Sequence, residues 1–249
     1  MTHSTIKKIS LFLTTILIVF LIWIIISSTK HNEIIYPTID LIWTSFLNIF
    51  IKSNLIALLH TFLRVLSCVG ISLGLSLFLN IIYIRFPKSY YLFSPVLTFF
   101  KTVPFICISL FVILLFKNTT AVYVIGCCLI VPICHEGIKS GIDNFNNNLM
   151  DEVKLLDVSF SKKVFNVFIP LIMPNILLVV LQSFGMGFKV ILMGEYFVQL
   201  KKSVGLVIYQ AKANLEMDAL IAWSILIVII VSVIEILIRQ ISQRLIYKY

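Results

Sequence analysis

The residues best placed to do chemistry lie between 151 and 170, where DEVKLLDVSFSKKVFNVFIP interrupts long apolar runs. Asp151 and Glu152 stand in the first turn of a short helix read over Leu149 to Leu156, with Asn146, Asn147 and Asn148 as potential caps. The helix dipole favours carboxylates there, and they offer negative charge to a basic partner surface. Asp157 follows at the helix end, and Ser159 or Ser161 can cap a second helix. That helix carries an apolar stripe of Val164, Phe165, Phe168 and Ile169, and Pro170 ends it or opens the next apolar run. The chemistry on offer is recognition and transfer of force. Taken alone, these residues also fit a solvated loop with interfacial helices.

Other polar residues sit where charge is expensive. Ionisable side chains inside a membrane mark functional positions by default. Lys101 lies three residues before Pro104 within one apolar run; it either snorkels to the surface or faces a path. Pro104 and Gly187 are expected to face the same interior as Lys101. Glu195 follows Gly194, and it pairs with a lysine such as Lys189, fixes the turn before 201–218, or meets solute. Glu235 and Arg239 are spaced for an intrahelical pair. Cys68, Cys107, Cys127, Cys128 and Cys134 all fall in apolar runs without a C-x-x-C pair, and His3, His31, His60 and His135 lack ligand spacing. No nucleophile–base arrangement and no phosphate-binding G-x-x-x-x-G-K-[ST] loop is present, so the chain is expected to be no enzyme, with no metal and no cofactor.

The elements that must position these residues are membrane spans. The chain is 60% hydrophobic and 12% charged, and its mean hydropathy is +1.06. A span needs about 20 apolar residues, and about six fit here, giving an all-α integral membrane protein. They run from Ile9 to Thr29, read as retained rather than cleaved; between Arg64 and Arg85; from Tyr91 to Phe116; from Ala121 to Cys134; from Leu171 to Gly194; and from Ala219 to Ile238. A short amphipathic segment with Ile39, Ile42, Trp43, Phe46 and Ile49 lies at the interface. Residues 1–56 thus form a first span plus interfacial segment, and 57–249 the core. Gly70 and Gly74 are expected to let span two pack closely, within the chain or, as the alternative, at a dimer seam. The net charge of +9 belongs to cytoplasmic loops facing lipid rather than to nucleic acid. The larger Lys and Arg set, including Arg85, Lys88, Lys139, Lys162, Lys163 and Arg239, places both termini and residues 136–170 in the cytoplasm.

The island resembles the EAA loop of binding-protein-dependent ABC importer permeases, whose pattern is E-A-A-x(3)-G-x(9)-I-x-L-P. Asp151, Glu152 and Val153 stand at the E-A-A positions, Asp157 at the Gly, Val167 at the Ile, and Ile169 and Pro170 at the Leu-Pro. Thr61-Phe62-Leu63-Arg64-Val65 with Gly70 and Gly74 is similar to the start of that family's core. Phe100 to Pro104 is similar to its third span. Lys189, Glu195, Gly205-Leu206 and Asp218 resemble the end of the nitrate/sulfonate/taurine-type branch. The resemblance implies a type I ABC importer permease fold. It implies a coupling loop docked on a cytoplasmic ATPase, an extracytoplasmic solute-binding protein, a permease homodimer in the cytoplasmic membrane, and a small solute, which a thiamine-precursor pyrimidine also fits. Because the family's Gly position holds Asp157, a positive φ at that corner is expected. The other class is a membrane-embedded assembly or signalling protein without a transport path.

Overall fold

The computed structural model describes residues 34–144, 153, 155 and 157–246, together with 14, 18, 21–25, 27 and 28. Among them there is no strand. The helices are α1 (Ile39–Asn48), α2 (Lys52–Arg85), α3 (Tyr90–Thr102), α4 (Phe105–Leu115), α5 (Asn118–Asp143), α6 (Phe160–Val198), α7 (Val204–Ala213) and α8 (Met217–Ile246). Four of these, α2, α5, α6 and α8, are long and apolar enough to cross a membrane, and α3 with α4 makes a fifth if the pair is one span. The span expected at Ile9 to Thr29 lies largely outside the described residues.

Two compact units divide the chain: Met1–Leu55 with Val207–Val228, and Ile56–Leu206 with Ile229–Tyr249. In the first, α1 exposes Trp43 and Leu47, while Ile49 is buried just beyond its end. Ser45 donates a hydrogen bond to Asp218. Asn54 Nδ2 donates to the Asn48 carbonyl at 3.0 Å, and the Trp23 indole N–H reaches the Pro37 carbonyl at 3.3 Å. Ser45, Asn48, Asn54, Gln210, Asn214 and Glu216 help line a polar cavity of about 380 Å³ in this unit.

The second unit is built on α6. Helix α5 packs along it most extensively, and α4 touches both. Helices attract weakly in lipid unless backbones approach closely, and glycines permit that here. A Cβ on Gly126 of α5 would stand 2.5 Å from Cys68 Sγ and 3.0 Å from Ile191 Cδ1; one on Gly141 would stand 2.8 Å from Asn175. Gly187 of α6 is closed by Val69, Val65 and Ile130. The glycines expected to do this in span two do not: Gly70 and Gly74 have nothing within 4 Å of an added Cβ. Spacing alone does not say which face of a helix meets a neighbour.

The third expected span is not straight. Pro104 lacks an N–H and pushes Val103 into the extended region (φ −67°, ψ 133°), so α3 and α4 meet at 104°. With 11 residues, α4 is about 16 Å long and too short to cross alone. Helix α6 also differs from expectation, because it is one helix of 39 residues rather than two. Pro170 ends nothing; a π turn at Val164–Phe168, closed by Ile169 N–H on the Val164 carbonyl, widens the backbone ahead of the proline ring.

The C-terminal end of α6 is held by a buried carboxylate. Glu195 is fully buried and accepts Arg64 Nη1 at 2.6 Å, Thr61 Oγ1 at 2.8 Å and Gly205 N–H at 3.2 Å. Thr61 Oγ1 in turn accepts Val204 N–H at 3.0 Å. The helix closes with Gln199 left-handed (φ 52°) and Leu200 N–H on the Glu195 carbonyl, a Schellman arrangement. A Cβ on Gly205 would stand 2.6 Å from Tyr196 N, so only glycine lets the chain return this closely.

Two outcomes are expected. Glu195→Ala leaves Arg64, itself 12% exposed, uncompensated and should cost about 3–5 kcal/mol. Arg64→Ala with Glu195→Ala should cost less than the two singles summed, as read by thermal unfolding in detergent. In the same assay Gly126→Leu should lose about 1–3 kcal/mol from overpacking, whereas Gly70→Leu should stay within about 0.5 kcal/mol. Equal effects at the two glycines would contradict the packing described.

Candidate coupling loop and membrane pathway

The loop is assembled from the C-terminal end of α2 and the N-terminal end of α6. Val153, Val164 and Phe168 are buried together, with Ile81, Ile84, Phe160, Val167 and Ile169 packed against them. Asp151 and Glu152 lie outside the described residues. Asp157 is exposed and is not among the described non-glycine residues of positive φ, which are Asn118, Gln199, Lys202 and Leu215. The bend leads instead into extended Ser159 (φ −57°, ψ 149°), which occupies the N-cap position of α6 without a side-chain capping bond. The expected Ser cap is therefore positional only. Pro170 is exposed on the continuous helix.

The stripe expected on the second helix divides. Val164 and Phe168 face inward, Ile169 is half-buried, and Phe165 faces out at 64% exposure; on the same segment Leu155 is 84% and Val158 44% exposed. An exposed apolar trio on a polar island is the kind of patch that marks a protein interaction site. Behind it, Arg85, Lys163, Ile84, Pro87, Val153 and Phe168 help line a cavity of about 440 Å³. The Arg85 guanidinium sits over Phe160, 5.7 Å from the ring centroid.

The residues expected along the pathway separate into two groups. Lys101, in the last turn of α3, is half exposed and forms an ion pair with Glu136 of α5. Pro104 is exposed at the α3–α4 break. Gly187 and Glu195, by contrast, are buried in the helix core and face no open surface. Glu195 has Arg64 as its partner and not Lys189, which is exposed. The pair expected between Glu235 and Arg239 is not among the ion pairs of the described residues. The Glu235 carboxylate lies against Gly185 of α6, 3.8 Å from where a Cβ would be.

Sequence reading missed a polar cluster where α2, α3 and α5 meet. Asn80 Nδ2 donates to His135 Nδ1 at 3.0 Å, both buried, and His135 stacks on Tyr90. Lys139 lies over the Tyr83 and Tyr90 rings and pairs with Asp143, which also accepts Tyr83 Oη–H at 2.8 Å. Helical spacing of Tyr83, Tyr90 and Lys139 gave no sign of this, because the three lie on different helices.

The family model described as "binding-protein-dependent transport system inner membrane component" matches residues 67–247. None of the curated proteins matches this sequence. Among solved structures, a chain of the MetNI methionine ABC transporter in inward-facing conformations is similar, with a TM-score of 0.61 and 15% identity. The alignment covers 87% of this chain and 99% of that one, and at such identity the likeness is one of fold. The multi-pass helical architecture is that of a type I ABC importer permease, in which ATP hydrolysis belongs to a separate subunit. The chain belongs to the family of binding-protein-dependent transport system inner membrane components, the permease subunits of ABC importers.

Proposed function

We propose that this permease works as one of two copies in the cytoplasmic membrane, importing a small solute with energy from a cytoplasmic ATPase. Both termini and residues 136–170 face the cytoplasm, and a solute-binding protein delivers the cargo from outside. The Lys and Arg distribution supports this orientation. Nitrate, sulfonates, taurine and thiamine-precursor pyrimidines remain the solutes suggested by the chain's resemblances; the methionine in the name of the similar solved structure adds amino acids. Residues 57–249 act as the core, with 1–56 as an accessory span and interfacial helix.

The observation that carries the reading is continuity. The exposed apolar trio Leu155, Val158 and Phe165 lies at the head of a 39-residue helix that crosses the core without a break. A partner that grips this patch moves α6 directly. Asp157 and Ser159 are exposed on this segment, Asp151 and Glu152 precede them in sequence as the acidic residues for a basic partner surface, and Val153, Val167 and Ile169 pack with Val164 and Phe168 to fasten the loop to the helix that continues through Pro170. Lys101 and Pro104 sit at the break between α3 and α4, where a path through the core would be widest in polarity.

Leu155→Asp with Phe165→Asp should lower co-purification of the ATPase by at least tenfold and abolish ATP-driven uptake in proteoliposomes. Ser161→Ala, exposed beside the patch, should leave both unchanged. Undiminished co-purification of the double variant would show that the ATPase docks elsewhere.

A further inference from the structure

Helix α6 has one face that the rest of its unit leaves open. Residues Leu171, Leu178, Gln182, Met186, Lys189 and Met193 are exposed and recur at helical spacing along a single stripe. The opposite faces are closed by Val122, Ile130, Val65 and Val69. Two members of the stripe are polar. Gln182 lies about 24 Å from the outer end of a helix about 45 Å long between Ile169 and Val198, which places it near the membrane midplane. Lys189 lies two turns further out.

A third polar group joins them from α8. Glu235 is half-buried against Gly185, one turn from both Gln182 and Lys189. It lies about 27 Å along α8 from Met217, again near the midplane. Among the described residues, none of Gln182, Lys189 and Glu235 has an ion-pair or hydrogen-bond partner. Lipid is a poor neighbour for such a set. An amide and a carboxylate near the midplane, with a lysine two turns further out on the same side, call for water, solute or another polar surface rather than lipid. Opposite charges that served only to hold the fold would be joined, as Arg64 and Glu195 are at 2.6 Å.

We propose that Gln182, Lys189 and Glu235 line the aqueous path and form a solute-contact site within the membrane. The site takes a small amphoteric solute. Its anionic group meets the Lys189 ammonium, its protonated amine meets the Glu235 carboxylate, and Gln182 serves either end. This rests on the reading of the chain as an importer permease. It moves the solute contact away from Gly187 and Glu195, which are buried.

The test uses the permease with its ATPase in proteoliposomes, on a background with the five cysteines replaced. Gln182→Cys is labelled with two methanethiosulfonates of similar size, one bearing a sulfonate and one a trimethylammonium group. Both should react. Lys189→Met should slow the sulfonate reagent about tenfold and spare the cationic one, and Glu235→Gln should do the reverse, as expected for charges one or two helical turns away in a partly wet site. Met186→Cys repeats the reading if Gln182→Cys does not assemble. Failure of both positions to react would overturn the proposal and place the stripe against lipid or a second copy. Reaction without charge dependence would equally overturn the assigned roles. Either result leaves the importer reading intact while ATP-driven uptake persists; loss of uptake and of ATPase association in the parent protein would instead remove that reading.

Discussion

A carboxylate with almost no solvent holds the core in register. Glu195 is removed from water at the end of an apolar helix, so its charge requires the Arg64 guanidinium and the Thr61 and Gly205 donors around it. Such a pair adds little net stability compared with well-packed apolar residues, but breaking it strands a charge. Its consequence is geometric. It fixes α2 against α6 at one end, sets where α6 stops, and fixes the path of the returning chain at Val204 and Gly205. The close approaches at Gly126 and Gly141 of α5 and at Gly187 of α6 then follow along the length of the bundle.

With its Glu195 end fixed, α6 has the continuity that the proposed lever requires. Its N-terminal end adjoins the proposed coupling loop, and the π turn before Pro170 keeps the helix continuous where a proline would otherwise interrupt it. Helix α5 lies along α6, and Val65 and Val69 of α2 close on Gly187, so the proposed lever would be backed by packed elements rather than by a hinge. The sharp break at Val103–Pro104 contrasts with this. There the chain gives up a straight span and places Lys101 and Glu136 together at the corner.

Much of this was legible in the sequence. Apolar runs located α2, α5, α6 and α8 because the membrane demands length and uniform hydropathy. The spacing from Asp151 to Pro170 is the basis for the coupling loop proposed here; it did not reveal that the segment from Phe160 is continuous with the following span. Pairings across the fold were not legible. Glu195 finds Arg64, 131 residues away, while Lys189 was the nearer candidate by chain distance. Gly70 and Gly74 show the pattern of a packing face and meet nothing, whereas Gly126 and Gly141 carry the contact. Periodicity gives a helix its faces, but only the tertiary arrangement says which face is covered. Prolines were ambiguous for a related reason: Pro104 breaks the chain and Pro170 does not, and the difference lies in whether the turn before the ring can widen.

The lever is tested most directly by pulsed electron–electron distance measurement between spin labels at Lys162 and Gln182 in the reconstituted complex. The two positions are separated by about 30 Å along one helix. The account predicts the same distance in the nucleotide-free and vanadate-trapped states, while the separation between the two copies of position 182 changes. A shift of more than about 3 Å between 162 and 182, about two residues of helical rise, would show that the helix bends near Pro170 and that force does not travel along it.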